Sequence, residues 1–128
     1  MIIGIGTDII DIRRIENTIK KYGEKFKKKC FTINEINRSE SRLKVAHSYA
    51  KKYAAKEACF KALSTGLANQ VFWKDIEILN NKFGKPSIVL HNNAKSKLEK
   101  ISKKKCNILV SISDEKNYAI SNVIIFEK

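Results

Sequence analysis

The chain has 128 residues, of which 43% are hydrophobic, so it can build a core, and neither wholesale disorder nor a multi-domain assembly is predicted. Its 26 Lys and Arg against 13 Asp and Glu give a net charge of +13, which predicts a negatively charged partner or substrate. The arginines are only Arg13, Arg14, Arg38 and Arg42; because arginine is the main reader of guanine, sequence-specific DNA binding is poorly supported.

The chain begins with a pattern typical of a buried strand followed by a helix. Ile2–Thr7 is apolar and β-branched, and Gly4 and Gly6 within it allow close backbone approach. Asp8 or Asp11 can cap the helix that follows. Ile12, Ile15 and Ile19 recur at helical spacing in this helix, and Gly23 can end it.

The next part of the chain predicts helices only. Residues 24–42 predict short helical turns, with Thr32 or Asn34 as a cap before Glu35. Residues 43–63 hold no Gly or Pro and predict the longest helix of the chain, with Gly66 placed to stop it.

The second half of the chain predicts two hairpins separated by a helix. The predicted strands are Asp75–Leu79, Ser87–Leu90, Ile108–Ser113 and Tyr118–Phe126. Asp114–Asn117 forms the second turn, and Asn92 or Asn93 caps the intervening helix, which reaches Ile101. Because hairpins join antiparallel strands, the order strand, helices, two strands, helix, two strands predicts an α+β fold, with residues 1–128 as a single domain around the long helix.

The cysteines and the apolar runs indicate the compartment. Cys30, Cys59 and Cys106 form no CxxC pair and are odd in number, which argues against a disulfide framework and against a thiolate metal site. No apolar run approaches the roughly 20 residues of a membrane-spanning helix, and residues 1–5 lack the charged start of a signal peptide. We therefore expect a cytoplasmic protein without a membrane partner.

One face of the long helix combines small side chains with two charges. At 100° per residue, Glu57 and Lys61 fall within a stripe formed by Ala46, Ala50, Tyr53 and Ala54. A face of small side chains packs closely, so a carboxylate there is desolvated and needs a cation or hydrogen bonds. The plainer interpretation is a surface ion pair of about 0.2–0.5 kcal/mol. The opposite face already offers Glu40, Arg42, Lys44 and Lys51 for solvation, which weakens that plainer interpretation.

Asp8 and Glu57 are candidates for a metal site. Asp8 follows the first strand, where it is either the helix cap or an oxygen ligand. Mg²⁺ is usually held by one or two carboxylates together with substrate phosphates and water, so both acids would suffice if strand and helix pack together. Gly84, Lys85 and Pro86 predict a hairpin turn or a phosphate clamp. The sequence has neither a Walker loop nor GxGxxG, so nucleotide hydrolysis and dinucleotide redox chemistry are unsupported.

Four blocks of the sequence resemble the holo-[acyl-carrier-protein] synthase family, the small trimeric class of 4′-phosphopantetheinyl transferases. They are GIGTDIIDI (4–12), YAKKYAAKEACFKALSTG (49–66), GKP (84–86) and VSIS (110–113), and they occur in the family's order. The KEA..KAL core with the upstream GxD is a specific match, and the resemblance extends over essentially the whole chain. It implies the phosphopantetheinyl transferase fold.

The resemblance implies transfer of 4′-phosphopantetheine from coenzyme A to a serine of apo acyl carrier protein, in support of fatty acid biosynthesis. The other product is adenosine 3′,5′-bisphosphate, and the cofactor is Mg²⁺. Asp8 and Glu57 would be the metal ligands, and Glu57 and Lys61 the catalytic residues. The serine proton would pass to Glu57 or to a metal-bound water. Coenzyme A would contact Lys52, Lys56, Lys61, Gly84, Lys85 and Pro86.

The resemblance also implies the partners. Arg13 and Arg14 of the first helix would meet the acidic carrier protein, nucleic acid would not be a partner, and the chain would form a homotrimer with active sites between subunits. Two positions depart from the family: Lys52 stands where arginine is usual, and Asp114 where histidine is usual.

Two other classes explain less of the sequence. A nucleic-acid-binding module accounts for the lysines but not for Glu57 inside the alanine stripe. A nuclease-like or phosphatase-like magnesium enzyme would share Asp8 and Glu57 but would normally carry more carboxylates nearby.

Overall fold

The computed structural model describes residues 1–64 and 70–128, and it confirms the predicted α+β fold. The predicted helix stop at Gly66 lies outside the described residues. The elements are β1 (Ile2–Asp11), α1 (Ile12–Tyr22), α2 (Glu24–Cys30), α3 (Ile33–Glu40), α4 (Val45–Ala62), β2 (Ile76–Asn80), β3 (Pro86–Leu90), α5 (Asn92–Ile101), β4 (Cys106–Glu115) and β5 (Tyr118–Glu127). A 3₁₀ turn at Trp73–Asp75 precedes β2.

The strands form two antiparallel sheets. The larger sheet has the order β1-β5-β4, and β2 and β3 form a separate hairpin. Both predicted hairpins are therefore confirmed. The second turn is shorter than expected, because β4 and β5 pair as far as Glu115 and Tyr118 and leave only Lys116 and Asn117 between them. Asp114 consequently lies in strand β4, not in the turn.

Strand β1 is longer than the sequence pattern indicated. It pairs with β5 down to Asp11, so Asp8 lies inside the strand opposite Ser121 and not at the strand's end. Asp11 caps α1, since its side chain accepts a hydrogen bond from the backbone N–H of Arg13 at 3.0 Å. Asp8, the other cap candidate, therefore does not cap the helix.

Two glycines bring β1 against α4; the sequence indicated a close backbone approach at these glycines but not its partner. A Cβ atom added to Gly4 would lie 2.0 Å from the backbone oxygen of Ala62, and one added to Gly6 would lie 1.8 Å from that of Ala58. Alternate residues of a strand face the same side. Asp8, two residues after Gly6, therefore continues along the face that meets α4.

Helix α4 is the centre of the molecule and packs against β1, β5, α1 and α3. Its C-terminal half shares a core with the inner face of the larger sheet, where Val123 and Ile125 are buried. Its N-terminal half shares a second core with α1 and α2, which includes Ile15, Cys30 and Tyr49. The helix begins at Val45, two residues later than predicted.

The cap of α5 also differs from the prediction. His91, rather than Asn92 or Asn93, is the N-cap residue. Strand β3 runs to Leu90, and the His91 N–H is held by the backbone oxygen of Asp75 at 2.7 Å, so the chain turns directly into the helix.

Candidate active site

Asp8 of β1 and Lys61 of α4 meet where the glycines bring their backbones together. The Lys61 ammonium donates to Asp8 Oδ1 at 3.2 Å and to the backbone oxygen of Thr7 at 2.9 Å. Within residues 1–64 and 70–128, Lys61 forms no ion pair with Glu57. The ordinary i,i+4 pair considered from the sequence is therefore absent, and the cation is drawn to the strand instead.

Glu57 of α4 lies near enough to this pair for the charge of Asp8 to act on its carboxyl. Burial raises the pKa of the half-buried Glu57 carboxyl, and the negative charge of Asp8 raises it further, against the opposing effects of Lys61 and Arg14. Two carboxylates close enough to repel each other are stabilised by a shared cation. The fold thus assembles Asp8, Glu57 and Lys61 into one site, although they are far apart in sequence.

Tyr53 and Arg14 are also near Glu57. The Tyr53 ring stacks on Trp73 with 4.7 Å between ring centroids. Burial and the nearby charge of Glu57 raise the pKa of Tyr53 to about 12, so its hydroxyl remains protonated at neutral pH. The charge of Arg14 on α1 also acts on Glu57, so the site combines acidic and cationic groups.

A second feature is an open cleft of about 610 Å³ on the other side of α4. Its cationic lining consists of Arg38, Arg42, Lys44, Lys51 and Lys52, and Gly84 belongs to its wall. The sequence interpretation placed Arg42, Lys44 and Lys51 on a solvated face, and it missed Arg38. Arg42 follows the end of α3, so no helical spacing relates it to Arg38, and no local signal indicated this cleft.

Lys52 is the buried cation of this cleft. It is 5% exposed, and its ammonium donates to Ser48 Oγ at 3.0 Å. Burial lowers the pKa of Lys52 to about 8; Glu35 opposes this shift, and the cations Arg38 and Lys51 add to it. In the described part of the chain it has no ion-pair partner. A buried ammonium among other cations favours the binding of an anion.

The Gly84–Pro86 turn faces the same cleft. Gly84 has φ 85°, and Asn81 Oδ1 closes the turn by accepting from the backbone N–H groups of Phe83 at 2.8 Å and Lys85 at 3.0 Å. Pro86 is the first residue of β3 and lines a small cavity beside Lys52. The Lys85 side chain is exposed.

Lys56, which the resemblance placed at coenzyme A, lies in the core and not in the cleft. Lys56 is 0% exposed, and its ammonium donates to Glu35 Oε1 at 2.9 Å, to the Trp73 backbone oxygen at 2.9 Å and to the Ile76 backbone oxygen. An ammonium has three hydrogens, and all three are used inside the protein. The motif match could not separate a lysine that faces the cleft from one that faces the core.

The other predicted residues lie on the surface. Arg13 forms two hydrogen bonds to Asp11, at 2.9 and 2.7 Å, and its side chain is 59% exposed. Arg13 and Arg14 both line an open groove along α1. Asp114 lies at the edge of the cationic cleft, where its carboxylate is 3.8 Å from Lys51.

An α+β fold with paired carboxylates beside a lysine, and a cationic cleft on the same helix, suits an enzyme that acts on a polyanion. The family model of the 4′-phosphopantetheinyl transferase superfamily matches residues 4–123. The chain therefore belongs to this superfamily, and the resemblance seen in the sequence is confirmed.

The individual relatives share one name. The holo-[acyl-carrier-protein] synthase of Agrobacterium fabrum is 50% identical over 127 residues, which cover 98% of this chain and 95% of the relative. The crystal structure of the Neisseria meningitidis enzyme of that name superposes with a TM-score of 0.86 at 33% identity, covering 99% of this chain and 100% of that chain. The Helicobacter pylori enzyme, solved in complex with coenzyme A, has a TM-score of 0.82 at 31% identity, covering 95% and 99% of the two chains.

Proposed function

We propose that this chain transfers 4′-phosphopantetheine from coenzyme A to a serine of apo acyl carrier protein, giving holo carrier protein and adenosine 3′,5′-bisphosphate. The observation that carries the proposal is the meeting of Asp8, Glu57 and Lys61 on a chain that also carries a cationic cleft. The names of the relatives agree with it, as does the coenzyme A complex of the Helicobacter pylori enzyme.

The paired carboxylates fit Mg²⁺ as the cofactor. Carboxylate oxygens are the ligands that this hard cation takes in proteins, and one or two of them suffice when substrate phosphates complete the shell. Burial is the main cause of the raised pKa of Glu57 and the charge of Asp8 adds to it; a shared cation would relieve that repulsion. When bound there, Mg²⁺ would supply Lewis-acid polarisation of the pyrophosphate.

The chain's own side chains position the substrate and compensate its charge. Lys61 lies beside Asp8 and neutralises charge on the phosphate that departs. Glu57 accepts the proton of the carrier serine. Lys52 and the Gly84–Pro86 turn, including Lys85, hold the nucleotide end of coenzyme A in the cleft.

Arg13 and Arg14 contribute to the surface that meets the carrier protein. Both lie on α1, and Arg14 borders the carboxylate site. Acyl carrier proteins are acidic, so a cationic helix beside the reacting groups guides the serine toward them.

A homotrimer with active sites between subunits explains why the carboxylate site and the cationic cleft lie on different sides of α4. Lys52 and Glu57 are five residues apart on α4, so they point about 140° away from each other. One coenzyme A molecule then reaches both kinds of group most directly when adjoining subunits supply them. The outer face of the larger sheet, with Ile5, Ile9 and Leu109 each more than half exposed, provides an apolar surface for this assembly.

The same proposal assigns residues 1–128 to one transferase domain that works in the cytoplasm, in support of fatty acid biosynthesis, with no nucleic acid as partner. None of the helices in the described ranges is long and apolar enough to cross a membrane.

A transfer assay tests the proposal. The protein is incubated with coenzyme A, Mg²⁺ and apo acyl carrier protein, and the carrier is weighed by mass spectrometry. The expected product is heavier by one phosphopantetheine arm. A carrier whose acceptor serine is replaced by alanine is the matched control and gains no mass. An unmodified wild-type carrier after prolonged incubation rejects the function.

A further inference from the structure

Two buried charged side chains lie between helix α4 and strand β2. Glu35 of α3 and Lys56 of α4 are each 0% exposed, and Glu35 Oε1 lies 2.9 Å from the Lys56 ammonium. A buried ion pair is weak evidence for stability, because apolar residues of similar volume often stabilise a core equally well. The partners of this pair therefore indicate a more specific role.

The pair occupies the place of a third strand along β2. Strand β2 pairs with β3 along one edge only. At its other edge, the Ile76 backbone oxygen accepts from Lys56, and the Ile78 N–H donates to Glu35 Oε2 at 2.7 Å. Residues i and i+2 of a strand direct their backbone groups to the same edge, so one ion pair satisfies both.

These bonds set the position of β2 along α4. Sliding a strand by one residue turns every backbone group to the opposite edge, which would leave Glu35 and Lys56 buried without these partners. The carboxylate itself is held in place, because Glu35 Oε1 accepts from the Thr32 N–H at 2.8 Å in the capping box of α3. The arrangement therefore defines one register between helix and hairpin.

The hairpin held in this way forms a wall of the cationic cleft. Asn80 follows Ile78 by two residues on β2, and both residues line the small cavity beside Lys52. Lys52 precedes Lys56 by four residues, about one turn of α4. A displacement of Ile78 relative to Lys56 is therefore passed on to the distance between Asn80 and Lys52.

We propose that the Glu35–Lys56 pair is a positioning element for coenzyme A: it holds the β2–β3 hairpin so that the turn at Gly84 and the buried Lys52 face each other across the cleft. The proposal rests on the proposed function only in taking coenzyme A as the ligand. Neither side chain touches the ligand, since both are fully buried.

Glu35→Gln tests the proposal with the smallest change of shape. The substitution removes the charge that holds Lys56 and keeps one acceptor oxygen for the Ile78 N–H. We expect the dissociation constant of coenzyme A, measured by calorimetry, and its KM to rise about tenfold. At saturating substrates kcat should stay within about twofold of wild type, because Asp8 and Glu57 lie elsewhere.

Ile15→Ala is the control for stability alone. It removes a buried side chain from the core between α1 and α4, a cluster to which no residue of β2 belongs. It should lower the melting temperature while leaving the dissociation constant of coenzyme A within about twofold of wild type. An unchanged dissociation constant in Glu35→Gln, or an equal rise in Ile15→Ala, overturns the proposal.

If Glu35→Gln does not fold, the double variant Glu35→Met with Lys56→Met replaces it, since it buries no charge. A folded double variant with wild-type affinity for coenzyme A refutes the positioning role. If neither folds, hydrogen exchange of the wild-type Ile78 amide decides: coenzyme A should slow it about tenfold, and unchanged exchange contradicts the proposal. If the wild-type protein binds coenzyme A but transfers no phosphopantetheine, the proposed function is rejected. The binding measurements still test the role of the Glu35–Lys56 pair.

Discussion

Three lysines on one helix have three different environments, and these determine what each can do. Lys61 is half exposed and pairs with Asp8, Lys52 is buried with a hydroxyl partner, and Lys56 is enclosed with all its hydrogens bonded. The sequence motif placed all three at the substrate. Only the direction of each side chain around α4 separates the lysine beside Asp8 from the lysine in the cleft and from the lysine of the core ion pair.

The paired carboxylates yield a prediction at the residue scale. Asp8→Asn and Glu57→Gln each remove one negative charge at nearly constant size, so transfer activity should fall at least about 100-fold while the fold persists. Transfer is measured by mass spectrometry and the fold by circular dichroism. Glu16→Gln, which alters a surface pair with Lys20, is the control and should keep wild-type activity. Wild-type-like transfer in either site variant would reject the assignment.

The lowered pKa of Lys52, about 8, predicts a pH dependence of anion binding. The ammonium is charged below this pKa and neutral above it, so affinity for a phosphate ligand is lost as the pH rises. Between pH 7 and 9 the dissociation constant of adenosine 3′,5′-bisphosphate should rise up to about tenfold.

Calorimetry with this thiol-free ligand avoids the titration of coenzyme A itself. Lys52→Arg keeps its charge throughout the range and should bind with little pH dependence. Equal pH dependence in both proteins would exclude Lys52 as the titrating group.

At the scale of elements, the contact of β1 with α4 creates the carboxylate site. Gly4 and Gly6 let the two backbones touch, and Asp8 follows on the same face of the strand. The sequence indicated a close backbone approach at these glycines, though not that α4 is the partner, because glycines inside an apolar β-branched run have few other uses. The extension of β1 to Asp11 was not indicated, because it depends on pairing with β5, which is over 100 residues away.

Gly6→Ala tests this contact. The added Cβ would meet the Ala58 backbone oxygen at 1.8 Å, a clash that only separation of strand and helix can relieve. We expect a loss of about 3 kcal/mol in the free energy of unfolding, measured by urea denaturation, together with reduced transfer. Thr7→Ala, on the outer face of the same strand, should cost much less. Equal stability of the two variants would contradict the packing described.

At the scale of the whole molecule, two surface properties bear on its partners: the net charge of +13 and the exposed isoleucines of the larger sheet. The charge suits polyanionic substrates and an acidic carrier protein. The register places Ile5 beside Ile124, and Ile124 beside Leu109, so the outer face carries an apolar row across all three strands.

Electrostatic steering by this charge predicts a salt dependence. Raising the ionic strength from about 0.01 to 0.15 M shortens the screening length from about 30 to 8 Å, so the association rate with carrier protein should fall about tenfold or more. Stopped-flow binding measures this rate directly. A rate that does not change with salt would indicate that the surplus lysines have no part in steering.

The apolar row predicts self-association. The wild-type protein should sediment at about three times the monomer mass of 14.6 kDa, whereas Ile5→Arg should sediment as a monomer because it places a charge in the contact. Ile33→Arg changes an isoleucine that is equally exposed but lies on α3, and it should leave the assembly unchanged. A monomeric wild-type protein would contradict the trimer.

By itself the sequence determined the element order, both hairpins, a close backbone approach at the glycines of β1 and the family, because periodicity, turn residues and motif spacing are local properties. Tertiary structure decided which charges are enclosed. Glu35 and Ile78 are distant along the chain, and so are Arg38 and Gly84, so neither the buried ion pair nor the cationic cleft leaves a local pattern. A lysine's role here follows from the dielectric around its ammonium and the partners within hydrogen-bond reach, and both arise only when the chain has folded.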